Sequence, residues 1–414
     1  MRFRPAAYAS AGKPLVRTVV VVTSAVVVAA ALLGAMALSG PGPGSGPRGA
    51  GRAAPAGAAA AGRAAAAGAA ASSTASLAAP PAAATAPTAS LPPLVLAGCP
   101  APPVPPNTPP APPPSHPAVL VPDSALPPPP APSPRVGNLR AISGKGMWIW
   151  QWSQTQGGDA AAVVARAKAA GLHQLWVRVA DSFDGFYGAA ELTALVPAAH
   201  QAGLAVVGWG FPYLYDPVGD AAWTRAALDW RGPGGAMLDG FSADVEMSTE
   251  GVALSATRVA VYLALARPAA AGRPFVGTVY PPTDRLWATY PYAAMAPYVD
   301  AFAPMVYWGC DQPADDVARA VGRLAALAPV APIGQAFSTA GTPGERTAAP
   351  SPDEITRFFD TARTEGAIGA SLWSWQAADA GEWGALGAVS WPAAAPSHVQ
   401  RAAQALGGPG RAPS

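Results

Sequence analysis

Cysteine is nearly absent from this chain: the 414 residues hold only Cys99 and Cys310. That count excludes a disulfide framework and a thiolate metal centre. The single pairing it allows, Cys99 with Cys310, is not expected, because Cys99 lies in a Pro-rich tail. Histidine is also scarce, with four scattered residues, and no Cys/His group has metal-ligand spacing. No phosphate loop or nucleotide fingerprint occurs, so neither metal nor cofactor is expected. Charge is sparse and balanced, 26 basic against 24 acidic residues for a net +2. Such a weak field does not suit nucleic acid. Large apolar residues are sparse in 41–135, which therefore cannot offset its own chain entropy.

What is present divides the chain. Arg2, Arg4, Lys13 and Arg17 precede an apolar run, "TVVVVTSAVVVAAALLGAMAL", at 18–38. Its length suffices to cross a bilayer as a helix, and the basic flank places the N-terminus in the cytoplasm. Ala35-Met36-Ala37 offers a small-x-small cleavage site. Residues 1–40 read as a signal peptide or an N-terminal transmembrane anchor, and either one exports the rest to the cell surface or beyond. Of the 50 prolines, 23 fall between Pro80 and Pro134. The segment 41–135 reads as a disordered linker, extended in its Pro-rich half at about 3.1 Å per residue. "LAGC" at 96–99 looks like a lipoprotein cleavage site but stands too far from the export segment to act as one.

From Val136 the texture changes and tryptophan appears. Apolar strand-like runs alternate with Ala-rich helical runs. The strands are expected at 146–152, 173–181, 204–212, 237–248, 274–282, 301–310, 330–338 and 368–379. The helical runs close on Gly, a usual helix stop, and "SPDE" at 351–354 is a capping box with Pro at the first helical position. Eight strand–helix units in roughly 250 residues predict an α/β (β/α)8 TIM barrel over 136–408, with a short tail at 409–414. An open doubly wound sheet is the alternative, but its Gly-rich first turn is missing. In a barrel, the reactive groups stand at the C-terminal ends of the strands.

The fourth strand reads "LDGFSADVEMS" at 238–248. Residues two apart share a face, so Gly240, Ser242, Asp244 and Glu246 point into the barrel. Phe241, Ala243 and Val245 face the helices. Barrel interiors are normally filled by branched apolar residues, so two inward acids need a reason. Close carboxylates resist double ionisation, which raises one pKa. A carboxylic acid that stays protonated near neutral pH is what a glycosidase uses on its leaving oxygen. The structural alternative is a pair neutralised by an inward arginine such as Arg178.

"DGFSADVE", Asp239 to Glu246, resembles the Asp-Gly-x-Asp-x-Asp-x-Glu signature of family 18 glycoside hydrolases, the chitinase family, with Ser242 in place of the middle Asp. On the sixth strand "MVYW" is similar to the family's Met-x-Tyr-Asp, with Trp308 where the Asp is expected. The resemblance implies that Glu246 is the general acid. It implies that Asp244 orients a substrate N-acetyl group acting as nucleophile, that Tyr307 supports that group, and that Trp373 floors the sugar site. Asp-x-Glu on a fourth strand is also shared with family 25 muramidases.

Aromatic residues crowd the same strand ends: Trp150, Trp152, Trp209, Phe211, Tyr213, Tyr280, Tyr307, Trp308, Trp373 and Trp375. Sugar rings stack their C–H faces on such rings. Trp148 and Trp176 are expected to fill the barrel instead. Gln151, Gln335 and Gln376 could bind sugar hydroxyls, with Arg178 at the same site. Asp181, Asp184 and Asp311 read as solvated rim acids, and His173 and His200 as structural. A Cys310 nucleophile lacks a nearby histidine.

Two functions fit. One is an exported retaining glycosidase acting on a polymer of N-acetyl sugars such as peptidoglycan or chitin. The other is a non-catalytic barrel that binds cell-wall or other carbohydrate, which Ser242 and Trp308 favour. The partners expected are the polysaccharide and, if the N-terminal segment stays uncleaved, the membrane. The protein is expected to be a monomer.

Overall fold

The computed structural model describes residues 92–99, 119–136, 138–338 and 346–391. The apolar run at 18–38, most of 41–135 and the tail at 409–414 lie outside the described residues. Among the described residues, no helix is long and apolar enough to cross a membrane.

Eight parallel strands form the frame: β1 Gly144–Ile149, β2 Gln174–Asp181, β3 Ala205–Phe211, β4 Gly240–Asp244, β5 Phe275–Val279, β6 Ala301–Val306, β7 Ile333–Gln335 and β8 Gly369–Trp373. Each pairs with the next, and β1 pairs with both β2 and β8, which closes the barrel. All eight expected strands are present, with shorter bounds. A two-residue antiparallel piece, Gly185–Phe186, is appended to β2. Helices fill the connections, among them Pro217–Asp229 and Pro352–Thr364, the second opened by the expected capping box at Ser351 and Glu354.

The interior is unusual. Trp148, Trp176, Trp209 and Trp373 come from four different strands and meet inside it. Trp148 stacks on Trp176 at 4.7 Å, Trp209 lies 5.6 Å from Trp148, and Trp373 lies 5.5 Å from Trp209. Indole is too large for the usual layered aliphatic filling, so neighbouring positions must be small. Gly146 is one of them: a Cβ there would stand 2.8 Å from the Trp176 ring nitrogen. Trp148 donates to Ser371 Oγ at 2.8 Å, and Trp209 to the carbonyl of Ile149 at 3.2 Å.

Two expectations about the tail are corrected. Cys99 and Cys310 are joined in a disulfide, with Cα atoms 5.7 Å apart. The described parts of the Pro-rich segment are also fastened to the barrel rather than free of it. Leu94 exchanges two hydrogen bonds with the Gln312 side chain, at 2.8 and 3.1 Å. Thr347 N–H donates to the carbonyl of Gly98 at 3.0 Å. Val121 N–H reaches the Tyr215 carbonyl, and Arg258 holds the Val121 carbonyl and Asp123. Arg135 donates to the carbonyls of Ala296, Val299 and Leu327. Proline lacks an N–H but keeps its carbonyl, so a Pro-rich strand can still be gripped by arginines.

Candidate functional site

The acids stand where the strand pattern put them. Asp244 ends β4 and Glu246 follows it at the mouth; each is 7% exposed. The outward alternation also holds, since Phe241 packs on Trp223 of the helix Pro217–Asp229 and on Phe275. Inward, the register aligns Arg178 with Trp209, Trp209 with Ser242, and Asp244 with Thr278. Ser242, in place of an acid, spends its hydroxyl on Thr278 Oγ1 at 2.7 Å.

No cation pairs directly with either acid among the described residues. Arg178 instead meets Asp181 at 3.1 Å and lies over the Trp209 ring at 5.5 Å. Its charge still reaches Asp244 and partly offsets the effect of burial, which pushes the Asp244 carboxyl up to about 7. Burial pushes Glu246 well above the usual carboxylate range, reinforced by the charges of Asp244 and Glu250 and opposed by Tyr280. Asp244 Oδ1 and Glu246 Oε2 are both buried without a hydrogen-bond partner. Each is a buried polar atom that the protein leaves unsatisfied, which in a native fold calls for an explanation. The remaining neighbours are tyrosines. Tyr213, Tyr290 and Tyr307 all lie within electrostatic reach of Glu246, and Tyr290 donates to the Val245 carbonyl at 2.7 Å.

Glu250 was not legible as a site residue. It sits half-buried in a single turn, Ser248–Glu250, ended by Gly251 at φ +83°. That turn brings it back beside Tyr280 and Glu246, which makes two carboxyls around one phenol. The Tyr280 hydroxyl stands near both glutamates but closes a well-formed hydrogen bond with neither. Spacing alone gives little warning of Glu250, because a turn, unlike a strand, has no fixed face.

Several expected sugar contacts are spent on the fold. Trp308 is fully buried, stacks on Phe358 at 5.5 Å and donates to Glu354 Oε1 at 3.0 Å, so it faces the outer helix. The same Glu354 is gripped by Arg346 in a fully buried ion pair. Trp375 turns away from the mouth and meets Trp383 edge-on at 4.7 Å. Trp209 is 2% exposed, part of the indole cluster. Tyr280 is 3% exposed and faces the acids rather than solvent. Gln335 accepts from Gly309 N–H and donates to the Phe337 carbonyl, which ties two loops together. Gln376 is held by Trp150 N–H, the Gln151 carbonyl and Thr155. Trp150, Gln151 and Trp373 remain half-buried near the mouth. Tyr307 is 9% exposed and stands edge-on to Phe337 at 5.3 Å. Asp181 is no solvated acid, since it accepts from the N–H groups of Phe183 and Asp184 as well as from Arg178. Among the described residues, no cluster of His, Cys, Asp and Glu could hold a metal ion.

No known protein family matches the chain, and no curated protein matches it. Among solved structures, the spore cortex-lytic enzyme SleL of Bacillus cereus is similar at TM-score 0.45 and 12% identity, over 60% of this chain and 75% of its own. The C-terminal domain of a putative chitinase from Desulfitobacterium hafniense is similar at 0.45 and 10%, over 59% and 98%. A family GH18 chitinase from Cycas revoluta, solved with allosamidin, is similar at 0.43 and 11%, over 59% and 99%. What these similarities share with this chain is a barrel of parallel strands alternating with helices.

Proposed function

We propose that this chain is an exported glycoside hydrolase that cleaves a polysaccharide of N-acetyl sugars, peptidoglycan or chitin-like, with retention of configuration. One observation carries the reading: two buried carboxyls, Asp244 and Glu246, stand together at the strand ends with no cation paired to either among the described residues. A pair so placed costs stability, and a proton donor is a function that repays it. Glu246, nearer the mouth, keeps its proton and delivers it to the glycosidic oxygen. Asp244, one layer deeper, orients the N-acetyl group whose carbonyl oxygen attacks the anomeric carbon, and Tyr307, just after β6, supports that group. The similarity of "DGFSADVE" and "MVY" to family 18 motifs supports these roles. Export is supported by the apolar run at 18–38 and by the disulfide, since such bonds persist in oxidising compartments.

The second reading, a barrel that binds glycan without cutting, is favoured by Ser242 and Trp308. Neither supplies the acid that the motif holds there, and both are committed to packing. The test is incubation of the full chain with peptidoglycan and with chitin oligomers, followed by assay of new reducing ends. Product from wild type and none from Glu246→Gln supports the hydrolase. Binding without product from wild type replaces it with the second reading.

A further inference from the structure

The strand register sets two side chains against each other at the mouth. Asp244 of β4 is aligned with Thr278 of β5, and Val245 N–H donates to the Thr278 carbonyl at 3.0 Å. Two residues on, the same inward face carries Glu246 on one strand end and Tyr280 on the other. Both ends are tied down. Tyr290 donates to the Val245 carbonyl at 2.7 Å, and Tyr292 to the Tyr280 carbonyl at 2.9 Å. The turn after Glu246 is closed by the N–H groups of Glu250 and Val252, which donate to the Met247 carbonyl at 3.0 and 3.3 Å. Glu250 Oε2 accepts from Thr249 Oγ1 at 2.5 Å. The phenol therefore has a buried carboxyl and a half-buried one within reach. Yet its hydroxyl is buried without a hydrogen-bond partner, as is Glu246 Oε2. A buried hydroxyl left idle beside two carboxyls costs stability and calls for a reason.

We infer that Tyr280 is a positioning residue, a phenol that turns from Glu250 to Glu246 as Glu246 gives up its proton and that holds the carboxylate so formed. This rests on the reading of Glu246 as the acid. While Glu246 is protonated it offers the phenol no charge. Once its proton passes to the glycosidic oxygen, a buried carboxylate remains, which is costly without a donor. The phenol is that donor, and a hydrogen bond to an ionised acceptor is about twice as strong as one to a neutral group. The phenol keeps its own proton throughout; only the Glu246 proton changes hands. A donor set in advance where charge develops speeds the step that creates the charge. The other titratable groups within electrostatic reach of Glu246 are Asp244, Glu250, Tyr213, Tyr290 and Tyr307, and Arg178 reaches Asp244. Of these, Tyr290 is spent on the Val245 carbonyl and Arg178 on Asp181.

The test uses the full chain with isotope-labelled glutamate carboxyls. Infrared difference spectra against the matching Glu246→Gln chain follow the Glu246 carboxyl as pH is raised, whether or not glycan is cut. Tyr280→Phe removes only a hydroxyl that bonds nothing, so the melting temperature should not fall. The titration midpoint of Glu246 should rise by about one pH unit, because its carboxylate has lost a donor. In Glu250→Gln the midpoint should fall, and that fall should shrink in the Tyr280→Phe background, since part of it acts through the phenol. On glycan, Tyr280→Phe should lower kcat by about 10-fold at unchanged KM and move the alkaline limb to higher pH. Equal midpoints in wild type and Tyr280→Phe overturn the proposal, even where wild type cuts glycan. A fall in Glu250→Gln of the same size in both backgrounds also overturns it. A raised midpoint in a chain that cuts nothing leaves the hold of the phenol on Glu246 standing and removes the acid reading.

Discussion

The proposed chemistry turns on one carboxyl and its neighbours. Glu246→Gln keeps the shape but not the proton, so turnover of glycan should fall by two to four orders of magnitude while affinity persists; unchanged turnover would remove Glu246 from the mechanism. The Glu250 charge helps to keep Glu246 protonated. Glu250→Gln should therefore move the alkaline limb of kcat/KM to lower pH, and a limb that stays put would mean that Glu250 only shapes its turn. Asp244 makes a separate statement about stability. Its carboxyl holds its proton up to about 7 in the folded chain, against 3.8 for the ordinary group. Between those values the native state binds more protons than the unfolded one, so stability is lost as pH rises through the window. Asp244→Asn should match wild type below pH ~4 and exceed it above pH ~8, by on the order of a few kcal/mol. Thermal melts at the two pH values check this; a difference of equal size at both would assign the effect to packing.

The elements divide into those with a period and those without. All eight strands were legible, because their apolar runs and intervening Ala-rich helices repeat, and β4 was legible down to the face each residue takes. The straps were not. Nothing in "LPPLVLAGC" or "PPPPAPSPRV" predicts contact, since their partners, the Gln312 side chain, Thr347 and Cys310 for the first and Arg267, Asp300 and loop carbonyls for the second, lie far along the chain. Arg267 donates to the Pro134 carbonyl at 2.9 Å and pairs with buried Asp300 through two bonds of 2.8 Å. Asp300 also accepts from Val136 N–H at 2.8 Å. A fragment beginning after Val136 leaves these groups exposed or unpaired, and it should melt several degrees below one beginning at Pro93; equal melting would show the straps to be decorative. Trp308 and Trp375 were misread for a related reason. A strand's alternation ends with the strand, and beyond it a ring can turn outward to a helix, as both do.

The described residues from Pro93 onward form a closed barrel with a belt. The Cys99–Cys310 bond joins residues 211 apart in sequence, so it restricts the unfolded chain widely and should stabilise by about 2–4 kcal/mol. Melting with and without a reductant measures this, and a Cys99→Ser variant should melt like the reduced protein. No change in either would leave the belt to its hydrogen bonds.

The indole cluster has an optical consequence. Trp148 and Trp176 lie 4.7 Å apart with planes only 8° from parallel, close enough for their excited states to couple. Trp209 and Trp373 adjoin them, and Trp373 is half-buried at the mouth. Light absorbed deep in the barrel can therefore be emitted by an indole at its mouth. The near-ultraviolet dichroism should report that the barrel is closed, the fluorescence should respond to any ligand entering its mouth, and neither needs an added label.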